Sequence, residues 1–199
     1  MSSLRHILVV AMLLYSSVTI ADSPLTSTYF ANIYRSEKVV KKAIKADGKI
    51  TRAIMKYLAD KENPVDVKIA AVNALEWRTD NYPAFCDYLK DKYKTLSEVT
   101  LIEKLDASTL ISLAYIKAMG DYKDVMGAAI IAENARKKMR DSFTVNMISA
   151  QMYMNDDFCV VFKFCDSVLK NENLTKDMHS KAVEQIVEYT NPYSKYCNE

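Results

Sequence analysis

Residues 107–122 read ASTLISLAYIKAMGDY. The stretch to Met119 has helical periodicity, and Gly120 stands where a left-handed C-terminal cap wants glycine. Asp121 then makes a short polar turn, and the aromatic Tyr122 heads the next helix. The same junction recurs at Asp80-Asn81-Tyr82 and at Asp156-Asp157-Phe158, so the three aromatics are 40 and 36 residues apart. Gly48-Lys49-Ile50 is a degenerate earlier copy, 32 residues before Tyr82. Periods in this range mark helical-hairpin repeats. A single hairpin cannot bury its apolar face alone, so neighbours stack into a continuous core.

Outward from that stretch the period stays helical. Val39, Val40, Ala43 and Ile44 share one stripe, as do Ile50, Ala53, Ile54, Tyr57 and Leu58, and later Val183, Ile186 and Val187. Asn63-Pro64 offers a cap before proline at a first helical position, Thr95-Leu96-Ser97-Glu98 reads as a capping box, and Gly48 reads as another left-handed stop. Phe158–Cys165 is strand-like in composition but has helical neighbours and no partner strand, so it reads as a buried helix. The expected helices span 27–46, 49–60, 64–77, 83–93, 96–104, 107–119, 122–139, 142–154, 157–170 and 175–190. The helix at 96–104 accounts for the longer repeat gap. Short links make successive helices antiparallel, which gives an all-α fold of stacked hairpins.

The 199 residues contain only 3 Gly and 4 Pro. That excludes glycine-rich phosphate loops and dinucleotide fingerprints and disfavours turn-dense β folds. Arg5 and His6, the apolar run Ile7–Tyr15 and the small residues through Ala21 read as a secretory signal cleaved near Ala21, with an uncleaved anchor as the alternative. The mature chain is then secreted or periplasmic and forms one domain over 22–199. The whole chain carries 27 Lys and Arg against 25 Asp and Glu, and loss of Arg5 leaves +1, which argues against a nucleic-acid binder. No later stretch is apolar enough to span a bilayer. With His179 the only histidine beyond the leader, multi-histidine metal sites are excluded and no cofactor is implied.

Four cysteines, Cys86, Cys159, Cys165 and Cys197, form no C-x-x-C pair. Cys159 and Cys165 lie six apart on one helix, about 9 Å in rise, too far to bridge. Cys86 belongs to an earlier hairpin. The helix at 175–190 should return antiparallel to that at 157–170 and bring the tail beside Cys159, so Cys159–Cys197 is the expected disulfide.

The chain resembles the tetratricopeptide-repeat superfamily. Gly120-Asp121-Tyr122 matches its turn between helices A and B, and Ala132 falls where helix B prefers a small residue. The resemblance covers about residues 35 to 175, but Lys41, Asn73, Leu113 and Ser149 replace the family's small residue in helix A. It implies a right-handed α-α superhelix whose helix A residues face a concave, peptide-binding groove. Those residues would be Arg35, Lys38, Lys42 and Lys45, then Trp77, Leu110 and Lys117, then Phe143, Asn146 and Tyr153. Such a groove suits a protein or peptide partner with acidic groups near the lysines. A one-residue shift of register would instead place Trp77 and Phe143 in the core.

The other chemistry-bearing residues have plainer readings. Lys38, Lys41, Lys42 and Lys45 form one helix face, which is ordinarily solvated. The 13 tyrosines suit interaction surfaces but also half-buried helix faces. Met152 and Met154 point to different sides of a helix and read as core packing rather than a soft-metal site. Asn173-Leu174-Thr175 fits the glycosylation pattern in a turn. The expectation is an exported, non-catalytic binding protein. The alternative is a helical hydrolase working through paired carboxylates, for which Glu76 beside Trp77 is the best candidate for a buried acid.

Overall fold

A computed structural model of the chain describes residues 24–121, 125–153 and 157–197. The expected leader with its cleavage point at Ala21 lies outside them, as do Tyr122, Met154 and Asp156.

The fold is all-α. The helices are α1 (Pro24–Ser27), α2 (Lys38–Ile44), α3 (Arg52–Leu58), α4 (Val65–Asn73), α5 (Asn81–Tyr93) and α6 (Glu98–Lys104). They continue with α7 (Ala107–Gly120), α8 (Met126–Lys138), α9 (Phe143–Gln151), α10 (Phe158–Lys170) and α11 (Ser180–Thr190). Tighter 3-10 turns occupy Ala31–Tyr34 and Asn191–Cys197. No strand occurs among the described residues; Ser142 and Thr175 form one isolated parallel bridge.

Helix α7 organises the core. Leu110, Ile111, Leu113, Ala114 and Tyr115 are all 0% exposed, as are the polar Thr109 and Ser112, so this helix is buried around its whole circumference and needs neighbours on every side. It packs against α3, α4, α5, α8 and α9. Its start is fixed by Asp106, whose carboxylate accepts the Thr109 N–H at 2.9 Å and the Thr109 hydroxyl at 2.7 Å. The consecutive pairs α7–α8 and α9–α10 also pack together.

Several local expectations are corrected by where backbone groups find partners. The single helix expected over 27–46 is broken, because buried Asn73 captures the N–H groups of Phe30 and Ala31 at 2.9 and 3.0 Å. The helix expected from 175 starts at Ser180. Its first residues instead pair with the approach to α9, through Phe143 N–H to Thr175 O at 3.1 Å and Thr175 N–H to Asp141 O at 2.7 Å. Asn63 does not cap α4; its amide donates to Tyr57 O and closes the end of α3. Thr95 is likewise spent on α5, its N–H reaching Lys90 O past the left-handed Lys94, so Ser97 caps α6. Gly48 has the expected positive φ of 76°, whereas Gly120 ends α7 without one. A Cβ at Gly120 would lie 3.2 Å from Arg78 O, so glycine permits a close backbone approach there.

Cys159 and Cys197 form the expected disulfide, with Cα atoms 4.8 Å apart. Phe158 packs on Tyr193 and Tyr196 beside it, at ring separations of 4.7 and 5.3 Å. Cys86 and Cys165 are free thiols, and burial pushes them up to about 11 and about 12 respectively. Among the described residues no helix is long and apolar enough to cross a membrane.

Candidate functional site

The ten residues expected to line one concave face fall in several places. Arg35, Lys38, Lys42 and Lys45 are exposed, and Lys38 and Lys42 share a groove of about 450 Å³ between α2 and α3 with Glu37, Val39, Ala53 and Tyr57. Trp77 is not on a helix. It follows left-handed Glu76 in the turn after α4 and is 53% exposed. Phe143 is buried in the core, with the Lys176 ammonium 4.7 Å from its ring centre. Lys117 is half-buried, its ammonium 4.2 Å from the Tyr82 ring centre. Leu110 is fully buried. Asn146 and Tyr153 do meet, in a second groove of about 240 Å³ between α9 and α10.

The basic surface is larger than four residues. Between positions 35 and 56 the chain carries eight cations, Arg35, Lys38, Lys41, Lys42, Lys45, Lys49, Arg52 and Lys56, against only Glu37 and Asp47. All eight are exposed. Among the described residues, none of them lies within 4.0 Å of a carboxylate. This segment therefore holds a local excess of +6 in a chain whose total is +2. Spacing makes the α2 part of it: positions 38, 41, 42 and 45 fall within about 100° of helix circumference. Lys49, Arg52 and Lys56 continue the three-and-four spacing, which is itself the sequence signal of the larger patch.

The second groove has a fixed wall. Tyr153 stacks on Phe164 with ring centres 4.9 Å apart. Its hydroxyl donates to Glu133 at 3.1 Å, and Arg136 holds Glu133 through two hydrogen bonds of 2.8 and 3.0 Å. The Arg136 bonds keep the Glu133 carboxyl below its usual range. Burial, then the Glu133 charge, raises the Tyr153 phenol. Phe164 and Arg136 had no sequence signal, because nothing in helical period tells a groove wall from an ordinary solvated position.

A lysine–serine pair that resembles a nucleophile and its base is sealed. Lys68 Nζ donates to Ser108 Oγ at 2.6 Å, and Ser108 donates to Asp106 at 2.7 Å. Lys68 is 0% and Ser108 3% exposed, so no substrate reaches either. Burial pushes Lys68 down to about 8, against the pull of Asp106. Burial also raises Asp106, but hydrogen bonds from Ser108 and Thr109 and the Lys68 charge outweigh it and hold the carboxyl low. Between pH 8 and 10.5 the unfolded chain keeps a Lys68 proton that the folded chain has lost, so this group adds stability as pH rises through that window. Urea unfolding of wild type and Lys68→Met should diverge by about 3 kcal/mol across it in favour of wild type, with tyrosine and thiol titrations common to both. A difference that stays flat would refute the assignment.

Glu76 is exposed, not the buried acid expected of a carboxylate hydrolase. Among the described residues no three His, Cys, Asp or Glu side chains gather as metal ligands. His179 caps α11, its Nδ1 accepting the Lys181 N–H at 3.2 Å. Comparison of the chain with family models, with curated proteins and with solved structures returns no match.

Proposed function

We propose that this is an exported, non-catalytic binding module, a tetratricopeptide-like stack of helical hairpins that takes an acidic segment of a protein partner along α2 and α3. The observation that carries the reading is the set of eight exposed cations, none of which, among the described residues, lies within 4.0 Å of a carboxylate. Surface cations ordinarily alternate with acids. A one-sign field instead attracts and orients an oppositely charged partner. The groove beside Lys38 and Lys42 gives an extended segment somewhere to lie. Export is supported by the leader-like segment and by a disulfide, which persists in oxidising compartments.

The test is a titration with a polyglutamate peptide, first in low salt. Charge reversal at Lys38, Lys42 and Arg52 should weaken binding at least about tenfold, and raising salt from about 0.05 to about 0.5 M should do the same. Affinity indifferent to both changes would overturn the proposal.

A further inference from the structure

We infer that the groove between α9 and α10 is a binding site for a neutral sugar ring. Its wall is aromatic. Phe164 is 43% exposed, and its ring is held by the stack on Tyr153, which Glu133 and Arg136 hold in turn. An aromatic ring fixed on one side and open on the other is a platform for a flat, weakly apolar face. The axial C–H face of a pyranose is such a surface.

The polar groups around the platform are oriented and incompletely used. Asn146 gives both amide protons away, to Arg140 O at 3.0 Å and Ser142 O at 2.7 Å, which leaves Oδ1 as an oriented acceptor. Asn171 accepts the Asn173 N–H through Oδ1 at 3.0 Å, which leaves its NH₂ as a donor. Arg136 spends Nε and one Nη on Glu133 and keeps the other Nη. The site thus offers donors and an acceptor on planar groups, a match for vicinal hydroxyls that each donate and accept.

Charge and size narrow the class. Arg136 is the one charged residue of the lining, and two hydrogen bonds commit it to Glu133. The groove of about 240 Å³ is smaller than the roughly 300 Å³ at which drug-sized ligand pockets begin. It holds one or two rings, and it is short for an extended peptide of several residues. It shares no lining residue with the basic groove, so this site and the acidic-partner reading stand or fall separately.

The test titrates the full chain with chitotriose, cellotriose and maltotriose, followed by amide and side-chain NMR. At least one should shift Asn146, Tyr153, Phe164 and Asn171 together, with a dissociation constant of about 0.1–10 mM. Phe164→Ala should weaken it at least about tenfold while the melting temperature holds, and Phe164→Tyr should restore it. Three outcomes overturn the inference: no shift with any of the three up to about 10 mM, shifts that survive Phe164→Ala, or tighter binding of a proline-rich peptide at the same residues.

Discussion

Asn73→Ala should cost about 4 kcal/mol of folding stability, close to the most that a single buried substitution removes. Asn73 is 2% exposed and uses its whole hydrogen-bonding capacity. Its Oδ1 accepts the N–H groups of Phe30 and Ala31. Its Nδ2 donates to Thr28 O at 2.9 Å and to the Tyr115 hydroxyl at 3.0 Å. Alanine takes a partner from four buried polar groups; the Tyr115 hydroxyl keeps its bond to Leu25 O at 3.3 Å, and the three backbone groups are each worth about 1–3 kcal/mol if water cannot reach them. Urea unfolding gives the size, and hydrogen exchange gives the place: the Phe30 and Ala31 amides should lose protection first. Asn81 is the internal control. It clamps the loop at Gly48–Ile50 with two bonds, Ile50 N–H at 2.8 Å and Gly48 O at 2.7 Å, so Asn81→Ala should cost about half as much. Equal losses, or an Asn73→Ala loss below about 1 kcal/mol, would contradict this account.

Removing the Cys159–Cys197 bond by the double serine variant should also cost about 4 kcal/mol, the chain-entropy value for a closed loop of 38 residues. Little of that loss should appear in the folded state. Phe158, Tyr193 and Tyr196 still pack the tail against α10, so the tail should stay docked. The change lies mainly in the unfolded chain, which becomes free to expand. The urea m-value should therefore rise as the midpoint falls, and added reductant should shift wild type toward the variant but leave the variant unmoved. An m-value unchanged in a fully stable variant would refute it.

Most helix positions were legible because apolar residues recur with the helical period, and from α5 to α10 the expected spans lie within about four residues of those found. The disulfide was legible because Cys159 and Cys165 are too far apart on one helix to bridge and the tail at Asn191–Cys197 packs back on α10. What the sequence concealed were side chains that serve a distant backbone. Asn73 and Asn63 look like breaks or caps in their own helices, yet their partners lie 42–45 and six residues away. The single concave face was not legible for a related reason. Trp77 left the helix when Glu76 took a left-handed turn, and Phe143 turned inward, so an assumed register placed together residues that the backbone separates.

Tyr34 has a consequence for the order in which the molecule is made. Its hydroxyl accepts the His179 N–H at 2.9 Å across 145 residues and donates to Asp66. Helix α1 packs against α11 as well. The earliest-synthesised segment of the core thus docks on the latest. At about 5–20 residues per second, the synthesis of those 145 residues takes roughly 7–30 s. Through that interval Leu25 and Phe30, both fully buried in the finished protein, lack part of their cover. Long-range closure of this kind slows folding and lengthens the exposure of apolar surface. For this chain the hazardous stage is the nascent one, when a holding chaperone has most to protect.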